Sequence, residues 1–231
     1  RELNLGQVRS IYDTIVREGI KGPSGELVRI EMFAHGALCM AISGKCYLSL
    51  HAYGASANRG ACYQICRRGY EVTDLETGNK LDIDNKYIMS PKDLCTIEFM
   101  DKIIDAGVKV FKIEGRARSA EYVKRCVSCY RQAADAVCEG RYTPELASEL
   151  KDKLSEVFNR GFWDGYYQGA YLGQWSEVYG SQAKLKKVYV GKVTNWFDKI
   201  GVAEILVESA PMEMGDKLLA IGRTTGVEEF T

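Results

Sequence analysis

The sequence predicts an α/β fold followed by a small all-β segment. Up to about residue 170, short apolar runs with a period of two alternate with longer amphipathic runs of helical period. From Lys184 onward, short β runs are separated by Gly and Pro turns. We therefore expect strand–helix units over residues 1–170, a linker over residues 171–183, and an incomplete, small antiparallel β-barrel domain over residues 184–231.

Each element is indicated by its own spacing and by its stop signals. Apolar residues recur at helical spacing in the first segment, and Gly107 and Gly140 end two later helices. Thr77-Gly78-Asn79 predicts the turn of a polar hairpin between the strands Tyr70–Val72 and Lys80–Ile83. The predicted helices are Asn4–Arg17, Leu94–Ala106, Ala120–Glu139 and Thr143–Phe158. The predicted strands are Val28–Phe33, Lys86–Met89, Val108–Ile113, Val188–Val193, Val202–Val207 and Lys217–Ile221.

Charged side chains follow three successive predicted strands. In an α/β barrel, reactive groups gather at the carboxyl ends of the parallel strands. This arrangement predicts the C-terminal part of a TIM-like (β/α) barrel whose remaining strands lie upstream. The residues at the three predicted ends are Glu31 and His35, then Ser90, Lys92 and Asp93, then Lys112, Glu114 and Arg116.

Net charge, apolar runs and cysteine content limit the classes of function that the sequence favours. The chain has 31 basic and 31 acidic residues, so no overall field favours nucleic acid or a membrane surface. No apolar run approaches the roughly 20 residues of a membrane span, and we expect no secretory signal. Eight cysteines without such a signal favour a reducing compartment, and we expect a cytoplasmic protein. The oligomeric state is left open.

Four cysteines lie in a glycine-rich segment and suggest a metal centre. Four thiolates complete either a [4Fe–4S] cluster or a closed zinc site. Gly44 allows the first two to converge, and the last two are spaced i, i+4, which differs from a zinc ribbon and favours the cluster. Cys95 is an alternative fourth ligand. The predicted ligands are Cys39, Cys46, Cys62 and Cys66.

Candidate catalytic groups come from the same strand ends. His35 is either a general base, since histidine titrates near neutral pH, or a residue that orders the loop by a hydrogen bond. Lys112 and Glu114 are predicted to share one face of their strand. Glu31 is a further candidate on the first strand.

Basic residues near these ends suggest an anionic substrate. An arginine fork matches a carboxylate or a phosphate, and such groups would suit Arg59, Arg116 and Lys92, with Asp93 beside them. The alternative is that Glu114 and Arg116 form a buried brace. Peptide hydrolysis has weaker support, because neither a GxSxG elbow nor a HExxH motif occurs. A thiolate nucleophile, Cys39 or Cys46, beside His35 is the remaining route.

Four motifs together resemble a known family. They are Glu31-x-Phe33-x-x-Gly36-Ala37-Leu38-Cys39 with Gly44-x-Cys46-x-Leu48-Ser49, then Asn58-Arg59-Gly60-x-Cys62-x-x-x-Cys66-Arg67, then Ser90-Pro91-Lys92-Asp93-Leu94, and finally Lys112-Ile113-Glu114-Gly115-Arg116. Over residues 1–169 the chain resembles the collagenase-like peptidase family of unknown catalytic type. The C-terminal segment is similar to a translation-factor barrel that some members carry.

The resemblance implies a TIM-like barrel and two kinds of activity. Some members are reported as proteases, whereas others hydroxylate tRNA or rRNA, or act in ubiquinone hydroxylation, with a four-cysteine iron–sulfur cluster. The tRNA branch uses prephenate as co-substrate and forms 5-hydroxyuridine. Our leading hypothesis is therefore a tRNA-modifying hydroxylase. A collagenase-like protease acting on peptides is the alternative, and an RNA- or protein-binding module is the third.

Overall fold

A four-stranded mixed sheet forms the framework of residues 1–183. The computed structural model describes residues 1–41, 44–80, 87–169 and 173–231, and these form two units, Arg1–Ala183 and Lys184–Thr231. The helices of the first unit are α1 (Leu5–Glu18), α2 (Leu48–Tyr53), α3 (Met100–Asp105), α4 (Ala120–Cys138) and α5 (Pro144–Ser155). Its strands are β1 (Ile30–Ala37), β2 (Asp93–Cys95), β3 (Val108–Ile113) and β4 (Phe162–Trp163).

The strand order is β3-β1-β2-β4, and the central pair is antiparallel. β1 runs parallel to β3, and β2 runs parallel to β4. Ala37 at the end of β1 pairs with Asp93 at the start of β2. The charged segments therefore meet at one edge of the sheet, as predicted. β1 and β3 end at this edge, whereas β2 begins there. The described sheet is open, and the TIM-like barrel remains a prediction.

Apolar side chains from the helices and strands form one buried core. Helices α3 and α4 contribute Met100, Ile103 and Ala133, which are fully buried. Fully burying a Leu or Ile side chain contributes roughly 1.5–3 kcal/mol. This core supports the sheet edge from one side. Its other large members include Leu94, Ile97, Phe99, Val108, Tyr122, Leu150 and Leu154.

The first helix confirms its sequence signals. Asn4 and Gln7 form a capping box, and Gly19 ends α1 in the left-handed conformation with φ +60°. Tyr12 lies over Gly107, where a Cβ would come within 2.1 Å of the Tyr12 ring. Only glycine fits at this contact between α1 and the start of β3.

Two predicted elements are wrong. The segment predicted as the helix Leu94–Ala106 begins as strand β2 and turns helical only at α3, after a 3₁₀ turn at Ile97–Phe99. The reason is tertiary: the hydroxyl of Thr96 donates to the Ala34 carbonyl at 3.0 Å, which holds the segment in the sheet. The predicted strand Lys86–Met89 is a turn over its described residues, closed by the bond from Ser90 N to Tyr87 O at 2.8 Å.

Part of the predicted polar hairpin is present in the described residues. Thr73 pairs with Lys80 in an isolated antiparallel bridge, and Gly78 N donates to Asp74 O at 2.8 Å in the turn between them. The rest of the predicted second strand, residues 81–83, lies outside the described residues. Residues 173–183 belong to the first unit: Gln174 O accepts the Lys92 N–H at 2.9 Å, and Gln182 N donates to Asn159 O at 2.7 Å.

The second unit consists of two antiparallel hairpins. Gly191 lies against the Leu206 carbonyl, where a Cβ would come within 1.8 Å of that oxygen. In the described residues 184–231 the two hairpins are separate two-stranded sheets, and the β-barrel stays a prediction. The strands are β5 (Gly191–Phe197), β6 (Val202–Val207), β7 (Leu218–Gly222) and β8 (Gly226–Phe230). Across both units, no described helix has the length and apolar character needed to cross a membrane.

Candidate functional site

The carboxyl ends of β1 and β3 are held in direct contact. Glu114 N donates to His35 O at 2.9 Å. Gly36, between these strand ends, has φ +126°, and a Cβ there would lie 2.8 Å from the Glu114 Cβ. Loops that leave this edge carry the cysteines on one side and Arg118 on the other, so the sheet edge positions both groups.

The four predicted cysteine ligands are free thiols; Cys39 and Cys62 are exposed, and Cys46 and Cys66 are partly buried. Burial raises the pKa of the Cys66 thiol; Arg67 opposes this shift, and the neighbouring thiols of Cys39, Cys62 and Cys46 add to it. Cys66 therefore lies within electrostatic reach of the other three. Within the described ranges, no three Cys, His, Asp or Glu side chains are close enough to ligate one ion. The thiols would have to draw together to do so.

Cys95 has different surroundings. It is buried on β2, opposite His35, and the Tyr130 hydroxyl lies 3.8 Å from its sulfur. Burial raises the pKa of Cys95 to about 11, which disfavours the thiolate that a metal requires. Cys95 is thus poorly suited to be the fourth ligand, and a four-thiolate centre on Cys39, Cys46, Cys62 and Cys66 stays a prediction.

Arg67 connects the cysteine loop to the sheet edge. Its guanidinium donates to Leu38 O at 2.7 Å, to Ser90 Oγ at 3.0 Å and to Pro91 O. Leu38 precedes Cys39 in the chain, and Arg67 itself follows Cys66. One side chain therefore fixes the backbone beside two of the predicted ligands and bonds both to the segment that enters β2.

His35 is buried and bonded rather than open to solvent. The Tyr130 hydroxyl donates to Ala34 O at 2.9 Å and accepts the Thr96 N–H at 2.9 Å. The Nδ1 of His35 lies 3.3 Å from the same hydroxyl, and because that oxygen has one proton to give, Nδ1 is the donor. Burial, with a smaller effect of Arg118, lowers the pKa of His35 to about 3. The ring is therefore neutral at neutral pH, and its role as a general base stays a prediction.

The structure moves Glu31 away from the strand end. β1 continues to Ala37, so Glu31 lies near its beginning, and a bulge between Phe33 and His35 breaks the alternation. Glu31 instead pairs with Lys112 at 3.4 Å, and both side chains are more than half exposed. The expected placement of Glu31 at a strand end is wrong, because the strand is longer than its apolar alternation suggested.

The predicted substrate-binding residues are dispersed. The side chains of Arg59 and Arg116 are exposed and make no hydrogen bond or ion pair with any residue that the structure describes. Lys92 Nζ bonds to Gln174 Oε1 at 3.3 Å. Asp93 is the exception: it is 1% exposed and lies between two buried arginines.

Those arginines, together with Arg67, are the functional candidates that sequence reasoning missed. Arg160 Nη1 lies 3.2 Å from Asp93 Oδ1, and Arg118 Nη2 lies 3.7 Å from Asp93 Oδ2. We call Arg67, Arg118 and Arg160 the arginine cluster. Arg118 follows the Glu114-Gly115-Arg116 motif by two residues, and Arg160 lies two residues before β4. Their burial depends on the tertiary structure, and no spacing in the sequence indicates it.

The chain is similar to known proteins of two kinds, which are named as collagenases and as RNA-hydroxylation proteins. The chain is 60% identical over 227 residues to a protein named collagenase from Porphyromonas gingivalis, covering 98% of this chain and 55% of that protein. It is 43% identical over 141 residues to a 23S rRNA 5-hydroxycytidine synthase from Escherichia coli, covering 61% of this chain and 20% of the relative. It is 44% identical over 115 residues to tRNA hydroxylation protein P1 from Bacillus subtilis, covering 48% and 27%.

The chain spans about half the length of the collagenase-named relatives. No solved structure matches it. The family model described as peptidase family U32 matches residues 1–176, which include the cysteine loop, the sheet edge and the arginine cluster. The predicted family resemblance is thereby confirmed, and names of both the collagenase and the RNA-hydroxylation kind support an enzyme. The chain belongs to peptidase family U32.

Proposed function

We propose that the protein hydroxylates a pyrimidine base in RNA and holds a [4Fe–4S] cluster on Cys39, Cys46, Cys62 and Cys66. The observation that carries the proposal is that four free thiols lie on the segments after β1, which Arg67 bonds to the sheet edge through Leu38 O and Ser90 Oγ. Thiolates of this number suit an iron–sulfur cluster. The relatives named as rRNA and tRNA hydroxylation proteins support the RNA substrate.

The chain's own residues would perform binding and positioning. The cluster, when bound, would supply electron transfer. Arg67 bonds to the carbonyl of Leu38, next to Cys39, and itself follows Cys66, so it would hold the backbone of two ligands while the thiols draw together. Neutral His35 is buried beneath the sheet edge and is held in place by the hydroxyl of Tyr130. The family resemblance implies that the product is 5-hydroxyuridine in tRNA and that the co-substrate is prephenate. Zinc is the alternative metal for the four thiolates.

Anaerobic purification followed by iron and sulfide analysis tests this function. We expect about four irons and four sulfides per chain, and loss of both in Cys66→Ala. Cys138→Ala is the matched control, because Cys138 is exposed at the end of α4, apart from the predicted ligands. Nucleoside mass spectrometry of RNA from cells that lack the protein should show a missing hydroxylated pyrimidine. Iron-free protein whose Cys39→Ala variant restores that nucleoside would refute the proposal.

A second candidate function is peptide hydrolysis, favoured by the 60% identity to a protein named collagenase. It requires an activated nucleophile. Among the described residues, the ring of His35 is hydrogen-bonded to the hydroxyl of Tyr130 at 3.3 Å and not to a thiol or a serine hydroxyl that could act as nucleophile. Incubation of the pure protein with denatured collagen tests this candidate. Cleavage that persists through a second purification column and is lost in Cys39→Ala would favour it over RNA hydroxylation.

A further inference from the structure

The part of the chain that carries the four candidate thiols is basic and has no acidic residue. From Met32 to Tyr70 the sequence contains neither Asp nor Glu, although the whole chain has 31 acidic and 31 basic residues. Lys45, Arg59 and Arg68 lie in this segment and are exposed, and none of them forms an ion pair with a residue that the structure describes. A chain without net charge therefore concentrates positive charge on one segment, which attracts an anionic polymer.

Two exposed tyrosine rings lie side by side on the same segment. Tyr53 ends helix α2, and Tyr63 directly follows Cys62. Their ring centroids are 5.1 Å apart, and the ring planes are inclined by 44°. Tyr53 is 52% exposed and Tyr63 is 60% exposed, so both rings present aromatic surface to solvent. Neighbouring exposed rings are typical of an interaction surface.

Hydrogen bonds hold both rings in place. The N–H of Tyr63 donates to Ser49 Oγ at 3.0 Å, and Ser49 is buried in α2. The guanidinium of Arg68 donates to the Tyr53 hydroxyl, and its central carbon lies 5.6 Å from the centroid of the Tyr53 ring. We call Tyr53, Tyr63 and Arg68 the tyrosine platform. Because the platform is ordered before any ligand binds, binding costs less conformational entropy.

Rings and charges in this combination match a single strand of RNA. Unpaired bases stack on exposed aromatic side chains, while Lys and Arg follow the phosphates of the strand. A duplex hides the faces of its bases, and an acidic peptide would use the charges without using the rings. The observed pairing of rings with an acid-free surface therefore favours single-stranded RNA over both.

We propose that the tyrosine platform, with Lys45 and Arg59, binds an unpaired segment of RNA by base stacking and phosphate contact. Tyr63 follows Cys62, and Arg68 lies two residues after Cys66, so the bound strand would lie beside two of the candidate ligands. The proposal rests on the proposed function for the identity of the natural RNA. The binding itself requires neither iron nor turnover.

Fluorescence anisotropy with a labelled RNA strand tests the platform. The probe is a mixed-sequence strand of roughly 12 nucleotides, a length that suits a single-strand site. The metal-free full chain should bind this strand at least about tenfold more tightly than the same strand in a duplex. Tyr63→Leu keeps an apolar side chain but removes the ring, and it should weaken binding by about fivefold or more. Tyr63→Phe keeps the ring and should bind as the wild type does.

The matched control for the ring is Tyr189→Leu in the second unit. Tyr189 is 58% exposed, close to the exposure of Tyr63, but its hydroxyl bonds to the carboxylate of Glu208. This variant should bind the RNA strand as the wild type does. Circular dichroism confirms the fold of each variant, and Tyr53→Leu repeats the test if Tyr63→Leu does not fold.

The charge contribution is measured by the salt dependence of binding. Arg68→Gln should lower the slope of log K against log salt concentration by about 0.7, the value for one phosphate contact on a single strand. Arg131→Gln is the control, because exposed Arg131 pairs with Asp135 on α4. Its slope should equal that of the wild type.

Four results would overturn the platform. They are equal affinity for single strand and duplex, wild-type affinity in both Tyr63→Leu and Tyr53→Leu, an unchanged salt slope in Arg68→Gln, or full displacement of the RNA by polyglutamate at equal charge concentration. The last result would show that charge alone binds at this surface and would indicate an acidic protein partner.

The outcome is separable from the proposed function. A protein that binds the strand through Tyr63 but holds no iron and alters no nucleoside retains the platform and loses the hydroxylase assignment. A protein with iron and hydroxylation, whose RNA affinity is the same in all platform variants, retains the assignment and loses the platform.

Discussion

The backbone N–H of Glu114 donates to the carbonyl oxygen of His35 at 2.9 Å, which joins the ends of β3 and β1. The bond can form because Gly36, which has no Cβ, lets the two backbones approach each other. Everything proposed for the site depends on this contact, since the cysteine loop leaves from one strand and the loop to Arg118 leaves from the other.

Gly36→Ala should destabilise the protein by about 2 kcal/mol or more. The added Cβ would lie 2.8 Å from the Glu114 Cβ and 3.1 Å from its carbonyl oxygen, at a backbone φ of +126°. Urea denaturation measures the change. Gly54→Ala is the control, since Gly54 also has positive φ but nothing within 4 Å of its Cβ. A similar loss in both variants would show that the close approach contributes nothing beyond backbone conformation.

Asp93→Asn should destabilise by about 3 kcal/mol or more. The substitution removes the carboxylate that pairs with Arg160 and Arg118, and it leaves buried positive charge behind. Asp135→Asn is the matched control, because Asp135 pairs with exposed Arg131 on a helix surface, where such pairs contribute about 0.5 kcal/mol or less. Chemical denaturation of the three proteins decides the matter, and equal stability of both variants contradicts the expectation.

Stability should fall on acidification through His35. Burial lowers its pKa from 6.5 to about 3 in the folded protein, so between these values the unfolded chain binds a proton that the folded chain does not. The contribution is fully present above about pH 6.5 and is lost as the pH falls toward 3, by at most about 1.4 kcal/mol per pH unit. Denaturation at pH 7 and pH 5 measures it.

The pH effect has its own control. His35→Gln should flatten the stability profile between pH 7 and pH 5, since the titrating ring is removed. His51→Gln alters an exposed residue of α2 and should follow the wild-type profile. If His35→Gln and the wild type lose stability in parallel, another group accounts for the acid sensitivity.

Thiol alkylation should separate the cysteines into two classes. In metal-free protein, exposed Cys39 and Cys62 should react within minutes, whereas buried Cys95 and Cys126 should react only after unfolding, since burial raises the pKa of Cys126 to about 12. Iron loading should protect the first class. Cys138, exposed on α4, should react in both states. Mass spectrometry of alkylated peptides reports each site, and unprotected Cys39 in iron-loaded protein would exclude it as a ligand.

Elements with strong local signals were predicted well. α1 has a capping box and a glycine end, and α4 ends within a residue of its predicted limit. β2 was predicted as helix because its pattern is too short to show a period. Its strand state is imposed by pairing with β1 and by the Thr96 hydroxyl, and neither interaction is encoded by neighbouring residues. The antiparallel direction of β2 was missed for the same reason.

The sequence by itself determined the family, the four candidate thiols and the approach of charged segments to one edge, because these follow from residue identity and spacing. The tertiary structure alone decided which charges are buried. Arg59 and Arg116 looked suited to an anion but are exposed, whereas Arg118 and Arg160 point inward around Asp93. The physical reason is that burial and charge balance depend on elements distant in the chain: Asp93 and Arg160 are 67 residues apart.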